Sequence, residues 1–222
     1  GASWCVKKGF AFDEDLLHTE DGGCISGGKF EKVSQRARAR GRDQLGTMGS
    51  GNHFVEVQRV DEILNSKVAE AFGLREGQVV VMIHTGSRGL GHQVASDYIM
   101  KMEREFGIKN LPDRELACAP ISSQAAKDYL AAMACAANFA FVNRQLITHQ
   151  IRKSFKKFFP RAAIGVVYDV AHNIAKFEDF SINGEMKKLC VHRKGATRSF
   201  GAGRKELPED YRKVGQPILI PG

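Results

Sequence analysis

The sequence predicts an α+β protein with stacked β-sheets flanked by helices, and two observations carry that prediction. Short runs rich in β-branched residues, of which Gln78–His84 is the clearest, are typical of buried strands. The stretch from Ser122 to Phe159 is rich in alanine and contains no glycine or proline, which is typical of a helix. With 222 residues and a hydrophobic fraction of 43%, the chain can form a sizeable core, and we expect one domain over residues 1–222.

The first forty-two residues predict a short helix, a loop and a basic segment. The helix is expected near the acidic residues 13–15, and the four glycines in residues 22–28 predict the loop. Arginine then occupies alternate positions, at Arg36, Arg38, Arg40 and Arg42. On a strand these side chains would splay apart, and on a helix they would cover most of the surface. A solvated run of charge is the usual outcome, but this run leads directly into a glycine-rich turn.

Residues 54–106 predict two strands and two helices. Apolar and polar residues alternate after Phe54, which indicates a strand, and helical spacing follows over Val60–Leu74 with Gly73 as a candidate cap. The strand Gln78–His84 leads into a second glycine loop at residues 85–91, and a helix is expected over His92–Phe106.

The C-terminal part predicts a strand, a hairpin and a final strand. Ile164–Val170 is β-branched, and Phe180–Leu189 indicates a hairpin that turns at Asn183-Gly184. Residues 216–222 are apolar and strand-like. Because a natural terminus is usually polar and loose, we interpret the chain as a segment of a longer polypeptide.

The strongest functional signal lies in Gly46–Glu56, which reads Gly-Thr-Met-Gly-Ser-Gly-Asn-His-Phe-Val-Glu. Three glycines in six residues make a backbone that turns sharply and comes close to a ligand. An amide, an imidazole, an aromatic ring and a carboxylate follow at the start of a strand. A tight hairpin turn with a solvated histidine remains the alternative interpretation.

Three histidines share one local context, since His53, His84 and His172 all lie at predicted strand ends beside loops. Imidazole binds Mn, Fe, Co, Ni and Zn, and three protein ligands with open positions are typical of a catalytic metal site. A single histidine is more often a core or capping residue, but three in one context favour a metal site. His18, His92 and His149 lack that context, and His192 is ambiguous.

The charge distribution favours a phosphate-bearing partner. The net charge is +8 and the isoelectric point about 9.3, so nucleic acid is the leading candidate and an inert basic surface is the alternative. Arg88 lies in one glycine loop, and Arg193, Lys194 and Arg198 surround Gly195. Backbone N–H groups of such loops bind oxyanions, and arginine grips phosphate with two hydrogen bonds. A metal site with such loops indicates phosphoryl or nucleotidyl chemistry on a polyanion.

Cysteine usage and hydropathy bear on the compartment. Five scattered cysteines without CxxC spacing favour a reducing environment over a disulfide framework. The sequence shows no apolar run long enough for a membrane span and no secretory signal. We therefore expect an intracellular, cytoplasmic protein that does not associate with membranes, present also in the nucleus if the source is eukaryotic.

Five blocks of the sequence together resemble the RtcB family of RNA-splicing ligases. They are Gln44–Phe54, His84–Gly91, Asp169–Lys176, Val191–Arg198 and Gly215–Gly222. They occur in the family's order along nearly the whole chain. The resemblance implies an RtcB-like fold that is incomplete at both ends, because the chain matches only the central portion of the family's protein.

The resemblance also implies an activity, cofactors and partners. Family members join a 2′,3′-cyclic-phosphate or 3′-phosphate RNA end to a 5′-hydroxyl end in tRNA splicing and RNA repair. They use GTP and Mn²⁺, two ions in the complete protein, through a guanylylated histidine and an RNA 3′-GMP intermediate. The partners implied are RNA, as tRNA exon halves or broken ends, and an archease-like activator. In eukaryotes a tRNA-ligase complex with a DEAD-box helicase is implied as well.

Family site residues carry over onto matching positions of this sequence. The resemblance implies that Mn²⁺ is bound by His53, His84 and His172. RNA phosphates would contact Arg40, Arg88 and Lys194. The residues expected to bind GTP or GMP are Asn52, His53, Phe54, Val55, Glu56, His172, Asn173, Pro221 and Gly222.

Other parts of the family's site have no counterpart in this chain. The family's Asp and Cys metal ligands would precede Gly1, and its histidine nucleophile and a lysine would follow Gly222. We therefore expect that the isolated chain does not become guanylylated. Two other functions remain open: a non-catalytic RNA-binding module, and a metal-dependent phosphoesterase acting on RNA ends.

Overall fold

The computed structural model describes residues 1–107, 109, 111–113 and 116–220, and it confirms the α+β class. Its strands are β1 (Phe54–Arg59), β2 (Val79–His84), β3 (Asn173–Ile182) and β4 (Glu185–Lys194). Its α-helices are α1 (Ser3–Lys7), α2 (Asp13–Leu17), α3 (Gln35–Gly41), α4 (Ser66–Ala71), α5 (Arg88–Phe106) and α6 (Gln124–Phe158). Among the described residues, the strands form two separate two-stranded sheets.

The chain divides into two compact units. Unit 1 comprises Gly1–Asp13, Gly22–Val55 and Ile83–Ile164, and unit 2 comprises Glu14–Asp21, Glu56–Met82 and Gly165–Gly222. The paired strands β1 and β2 carry the chain from unit 1 into unit 2 and back. The single domain over residues 1–222 stays a prediction.

Unit 1 has a helical core in which α3, α5 and α6 pack together. The buried side chains at its centre are Val33, Ala37, Leu90, Val94, Tyr98, Ala132 and Ala136. Small residues allow this close packing: a Cβ at Gly41 would lie 2.8 Å from the Cβ of Leu90. The basic segment, for which strand and helix were both open, is therefore a helix whose buried face is made of Ala37 and Gly41.

Helix α6 is long and apolar enough to cross a membrane by length and composition alone. Half of its most apolar window is buried inside the protein. The buried residues include polar ones with partners in unit 1, such as Asp128 and Asn143. This pattern is typical of a core helix, and the absence of a membrane partner stays a prediction.

The predicted hairpin of unit 2 is confirmed. Strands β3 and β4 pair antiparallel from Asn173 opposite Lys194 to Ile182 opposite Glu185. The turn residues Asn183 and Gly184 have φ of 54° and 83°, a left-handed conformation that asparagine and glycine tolerate best.

The helix predicted over Val60–Leu74 is shorter than expected. Val60 instead extends the strand pairing, since its N–H donates to the carbonyl of Gln78. Helix α4 starts only after Asn65, whose side-chain oxygen accepts a hydrogen bond from the N–H of Val68, as an N-cap does. Gly73, with φ of 65°, follows the helix as predicted.

Two predicted strands are wrong within the described residues. Ile164–Val170 forms only one isolated bridge, between Asp169 and Thr19, and the carbonyl of Val167 accepts a hydrogen bond from the Tyr211 hydroxyl. Residues 216–220 form no strand either; the N–H of Gln216 donates to Phe200. β-Branched composition therefore does not by itself produce a sheet ladder.

Candidate active site

Two of the three predicted histidines lie together in unit 1. His53 directly precedes β1, and His84 ends β2, so the pairing of these strands brings the two residues to the same end of the sheet. Their ring centroids are 5.9 Å apart, and the ring of Phe54 meets His84 edge-on at 5.4 Å. Two of the three predicted histidines are thus close together, and their metal-binding role stays a prediction.

Gly49 allows His53 and Arg88 to approach each other. Its φ of 112° is in the left-handed region, which only glycine adopts without strain. A Cβ at this position would collide with Nδ1 of His53 and with Nη1 of Arg88. The glycine turn thus places an imidazole and a guanidinium side by side.

Arg88 is held at the start of α5 by contacts with the glycine turn. Its own φ is 53°, an unusual conformation for a residue with a long side chain. Its Nε donates to Oγ1 of Thr47 at 3.1 Å, and the next residue, Gly89, donates its N–H to the side chain of Gln44 at 2.7 Å. The arginine is thereby fixed at the N-terminus of a helix, where the helix dipole favours an anion.

Asn143 ties the two loops together. It is fully buried on α6. Its Oδ1 accepts from the N–H of Thr47 at 3.1 Å, and its Nδ2 donates to the carbonyls of Thr47 at 3.0 Å and Gly86 at 3.2 Å. The Thr85 hydroxyl adds a direct link, since it donates to the carbonyl of Met48.

The surroundings of His53 favour its neutral form. Its Nδ1 is buried and has no hydrogen-bond partner among the described residues. Burial lowers the pKa of His53, the charges of His84 and Arg88 lower it further, and the backbone of Met48 acts in the opposite direction. A neutral imidazole with an unused nitrogen is the form that binds a metal ion, so this residue fits a cation site.

The third predicted histidine lies in unit 2. His172 immediately precedes β3, so it lies at the start of a strand and not, as expected, at the end of one. Its neighbour Asn173 accepts a hydrogen bond from the N–H of Gly195 at 2.9 Å and lies opposite Lys194 in the hairpin. The open end of the hairpin thus brings together Asn173, which is expected to bind nucleotide, and Lys194, which is expected to bind RNA phosphate.

A buried charge network lies beneath that segment of unit 2. Glu20 contacts Nζ of Lys176 at 2.6 Å, and Asp21 contacts Lys176 at 2.7 Å and Arg198 at 3.1 Å. The second carboxylate oxygen of Glu20 accepts from the N–H of Ala171 at 2.8 Å. Glu20, Lys176 and Arg198 are buried and Asp21 lies at the edge of the network, so that two carboxylates balance two cations. The network fixes the backbone next to His172.

The network changes the interpretation of the basic loop around Gly195. Arg198 is buried and bound to carboxylates, and Arg193 makes two hydrogen bonds to Glu178 at 2.6 and 2.7 Å. These two arginines therefore stabilise the fold. Lys194 is the exposed cation of this loop.

The remaining predicted residues have simple placements. Asn52, Val55 and Glu56 are exposed, and Glu56 accepts from the side chain of Gln58 at 2.9 Å. Pro221 and Gly222 lie outside the described residues. Over the described ranges, His, Cys, Asp and Glu side chains form no group of three or more that could hold a metal. The ligand and nucleotide roles stay predictions.

Sequence reasoning missed Asn143, Thr47 and the Glu20–Lys176 pair. A signal for the first was present: Asn143 follows Ala136 and Ala140 by seven and three positions, so it shares their buried helix face. A polar residue on an apolar face must find partners. Nothing in the sequence indicated which backbone groups they would be.

This fold and this site define a basic α+β protein with a paired-histidine candidate cation site beside an arginine suited to phosphate. The sequence model described as "tRNA-splicing ligase RtcB" matches residues 1–222. The chain belongs to that family.

Curated relatives with the same name come from several archaea. The chain is 56% identical to tRNA-splicing ligase RtcB of Archaeoglobus fulgidus, with 100% of this chain and 47% of the relative covered. It is 56% identical to that of Pyrobaculum aerophilum, covering 48% of it, and 51% identical to that of Methanococcus maripaludis, also covering 48%; both matches include 100% of this chain. The chain thus spans about half the length of these relatives.

Proposed function

We propose that this chain is the central part of a tRNA-splicing RNA ligase that joins a 2′,3′-cyclic-phosphate or 3′-phosphate end to a 5′-hydroxyl end. The observation that carries the proposal is the fixed triad of His53, His84 and Arg88 in unit 1, in a chain that matches the family from its first to its last residue. Such a ligase needs a cation site and a phosphate site next to each other, and these residues supply both chemistries.

We propose Mn²⁺ and GTP as the cofactors. His53 and His84 would hold the metal in unit 1, and His172 is the third candidate ligand. When bound, Mn²⁺ would neutralise phosphate charge and polarise the reacting phosphorus. The surroundings of His53 lower its pKa and so favour the neutral imidazole that binds a metal ion.

Arg88 would bind and orient the RNA phosphate. Its guanidinium is held by Thr47, so little side-chain freedom is lost when a phosphate binds. Arg40 and Lys194 are the other proposed phosphate contacts. Asn52 through Glu56, with His172, Asn173, Pro221 and Gly222, are proposed to contact GTP or GMP.

The chemical steps are inherited from the family in this proposal. A histidine outside this chain would be guanylylated by GTP with release of pyrophosphate, and GMP would pass to the RNA 3′-phosphate. The 5′-hydroxyl would then attack that phosphate, forming the phosphodiester bond and releasing GMP. The isolated 222-residue chain would then incorporate no label from GTP. An archease-like activator and, in eukaryotes, a helicase-containing complex are proposed partners, and an intracellular location is proposed with them.

The test is a sealing assay with the complete protein. RNA ending in a 2′,3′-cyclic phosphate and RNA starting with a 5′-hydroxyl are incubated with GTP and Mn²⁺, and products are analysed by their end groups. We expect sealing by the wild type and by His149→Gln, whose ring contacts Phe10, and loss of sealing by His84→Ala. Hydrolysed ends without sealing would favour a phosphoesterase, and Mn²⁺-independent RNA binding without any product would favour a binding module.

A further inference from the structure

Helix α3 and its C-cap residue Arg42, which keeps a helical backbone conformation, present arginine on both sides of an exposed face. Arg36, Arg38, Arg40 and Arg42 are all exposed, whereas Ala37 and Gly41 are buried. Residues four apart lie on the same side of a helix. Arg36 and Arg40 therefore border one side of this face, and Arg38 and Arg42 border the other. We call this set of four residues the α3 arginine face.

Within the part of the chain that the structure describes, no carboxylate pairs with the positive charges of the α3 arginine face. Among the residues that the structure describes, none of the four arginines forms an ion pair with a carboxylate, although ion pairs are present elsewhere in unit 1, such as Lys32 with Asp128. Like charges four residues apart oppose helix formation. A bound polyanion would remove that repulsion, so the face favours one.

An aromatic ring extends the α3 arginine face. Phe30 is 62% exposed, and the guanidinium carbon of Arg38 lies 4.6 Å from its ring centroid. Planar guanidinium and aromatic groups stack on nucleobases. An acidic peptide would pair with the charges of this surface but would not stack on its planar guanidinium and phenyl groups. The presence of both charges and planar groups therefore favours single-stranded nucleic acid.

The α3 arginine face is held next to the proposed phosphate site. Arg40 donates to Oε1 of Gln93 at 2.9 Å, and the buried Gln93 is oriented by Asp97, which accepts from its Nε2 at 2.7 Å. Helices α3 and α5 also meet closely at Gly89, where a Cβ would lie 3.1 Å from the carbonyl oxygen of Arg40. Gly89 adjoins Arg88, so a strand held at Arg88 has the face within reach.

We propose that the α3 arginine face and Phe30 bind the body of the single-stranded RNA whose terminal phosphate Arg88 holds. This inference rests on the proposed function and adds to it the surface along which the RNA strand runs. Each phosphate contact replaces condensed counterions, and stacking on Phe30 adds affinity that does not depend on base identity.

The test is RNA binding by the complete protein, which requires no ligation. The probe is a 5′-fluorescent 3′-phosphate RNA of about 20 nucleotides, longer than a usual single-strand site, titrated at salt concentrations between about 50 and 200 mM. The variants are Arg36→Gln with Arg42→Gln, and Phe30→Ala. The control is Lys156→Gln with Lys157→Gln, which removes two exposed charges at the end of α6 in the same unit.

We expect the double arginine variant to reduce the slope of log affinity against log salt by about 1.4, which is 0.7 for each lost contact. We expect Phe30→Ala to weaken binding about tenfold and the lysine control to bind as the wild type does. All three variants change exposed residues, and equal melting temperatures would verify their folding.

An unchanged slope in the double arginine variant, or an equal loss in the lysine control, would overturn the proposal. The proposal would also be overturned if the double arginine variant lost equal affinity for RNA and for a polyglutamate peptide while Phe30→Ala bound RNA as the wild type does. The α3 arginine face would then bind anions in general. A wild type that binds RNA through this face but seals no ends would refute the proposed function and leave the RNA surface standing.

Discussion

The side chain of Asn143 binds both backbone groups of Thr47. Its Oδ1 accepts from the N–H of Thr47 at 3.1 Å, and its Nδ2 donates to the carbonyl of Thr47 at 3.0 Å. The same amide donates to the carbonyl of Gly86. A single buried side chain on α6 therefore sets the spacing of the loops that carry His53 and Arg88.

We expect Asn143→Asp to disrupt the cation and phosphate site. The carboxylate would face the carbonyls of Thr47 and Gly86 without a proton to donate, which should lower the free energy of unfolding by about 1–3 kcal/mol. The control is Asn138→Asp, because Asn138 makes the same two contacts with the backbone of Ile25. Thermal melts and Mn²⁺ titrations of the complete protein should show a similar stability loss for both variants, but weakened Mn²⁺ binding for Asn143→Asp alone. Equal Mn²⁺ affinities would contradict this role.

Gly49→Ala should separate His53 from Arg88. The new Cβ would collide with both side chains, and the left-handed backbone adds roughly 1–2 kcal/mol. Gly51→Ala is the matched control, since Gly51 also has positive φ but has no atom within 4 Å of a Cβ. Sealing by the complete protein should fall at least about tenfold more in Gly49→Ala than in Gly51→Ala, which corresponds to about 1.4 kcal/mol. Equal losses of sealing in the two variants would mean that backbone strain causes the loss and that the collision with His53 and Arg88 does not.

Arg88→Gln should raise the pKa of His53. The positive charge of Arg88 is one of the causes that lower this pKa, behind burial and the effect of His84, so its removal makes protonation easier. The measurement is the NMR titration of the His53 ring protons in metal-free protein. Arg40→Gln, which removes another arginine of unit 1, should leave the midpoint in place. A midpoint that falls or stays constant in Arg88→Gln would show that the guanidinium does not act on His53.

Asp128 should stabilise unit 1 in a pH-dependent way. Hydrogen bonds from Lys32 and then Gln124 lower its pKa from 3.8 to about 2. Since the folded-state pKa lies below the unfolded value, this contribution is present above about pH 4 and is lost as the pH falls towards 2. Asp128→Asn should lower the free energy of unfolding by about 1–3 kcal/mol at pH 7. The difference in this free energy between variant and wild type should shrink as the pH falls from about 4 towards 2. Asp61→Asn, in an exposed pair with Arg59, should cost less than about 1 kcal/mol.

The sequence predicted the parts of the structure that depend on neighbours along the chain. Glycines beside predicted strand ends indicated where His53 and His84 lie, and Asn183-Gly184 indicated the hairpin turn. Contacts between distant residues were not predictable: Asn143 meets Thr47 across 96 positions. The wrong strand at residues 164–170 has the same cause, because its backbone partners include Thr19 and Tyr211, which no local pattern identifies.

The most direct test of the account is a calorimetric Mn²⁺ titration of the complete protein, with GTP absent and then present. We predict that the wild type and His149→Gln bind Mn²⁺, that His53→Ala and His84→Ala each bind it at least about tenfold more weakly, and that GTP strengthens binding in the wild type. Unchanged Mn²⁺ affinity in both His53→Ala and His84→Ala would show that the paired histidines are structural and would contradict the proposed cation site.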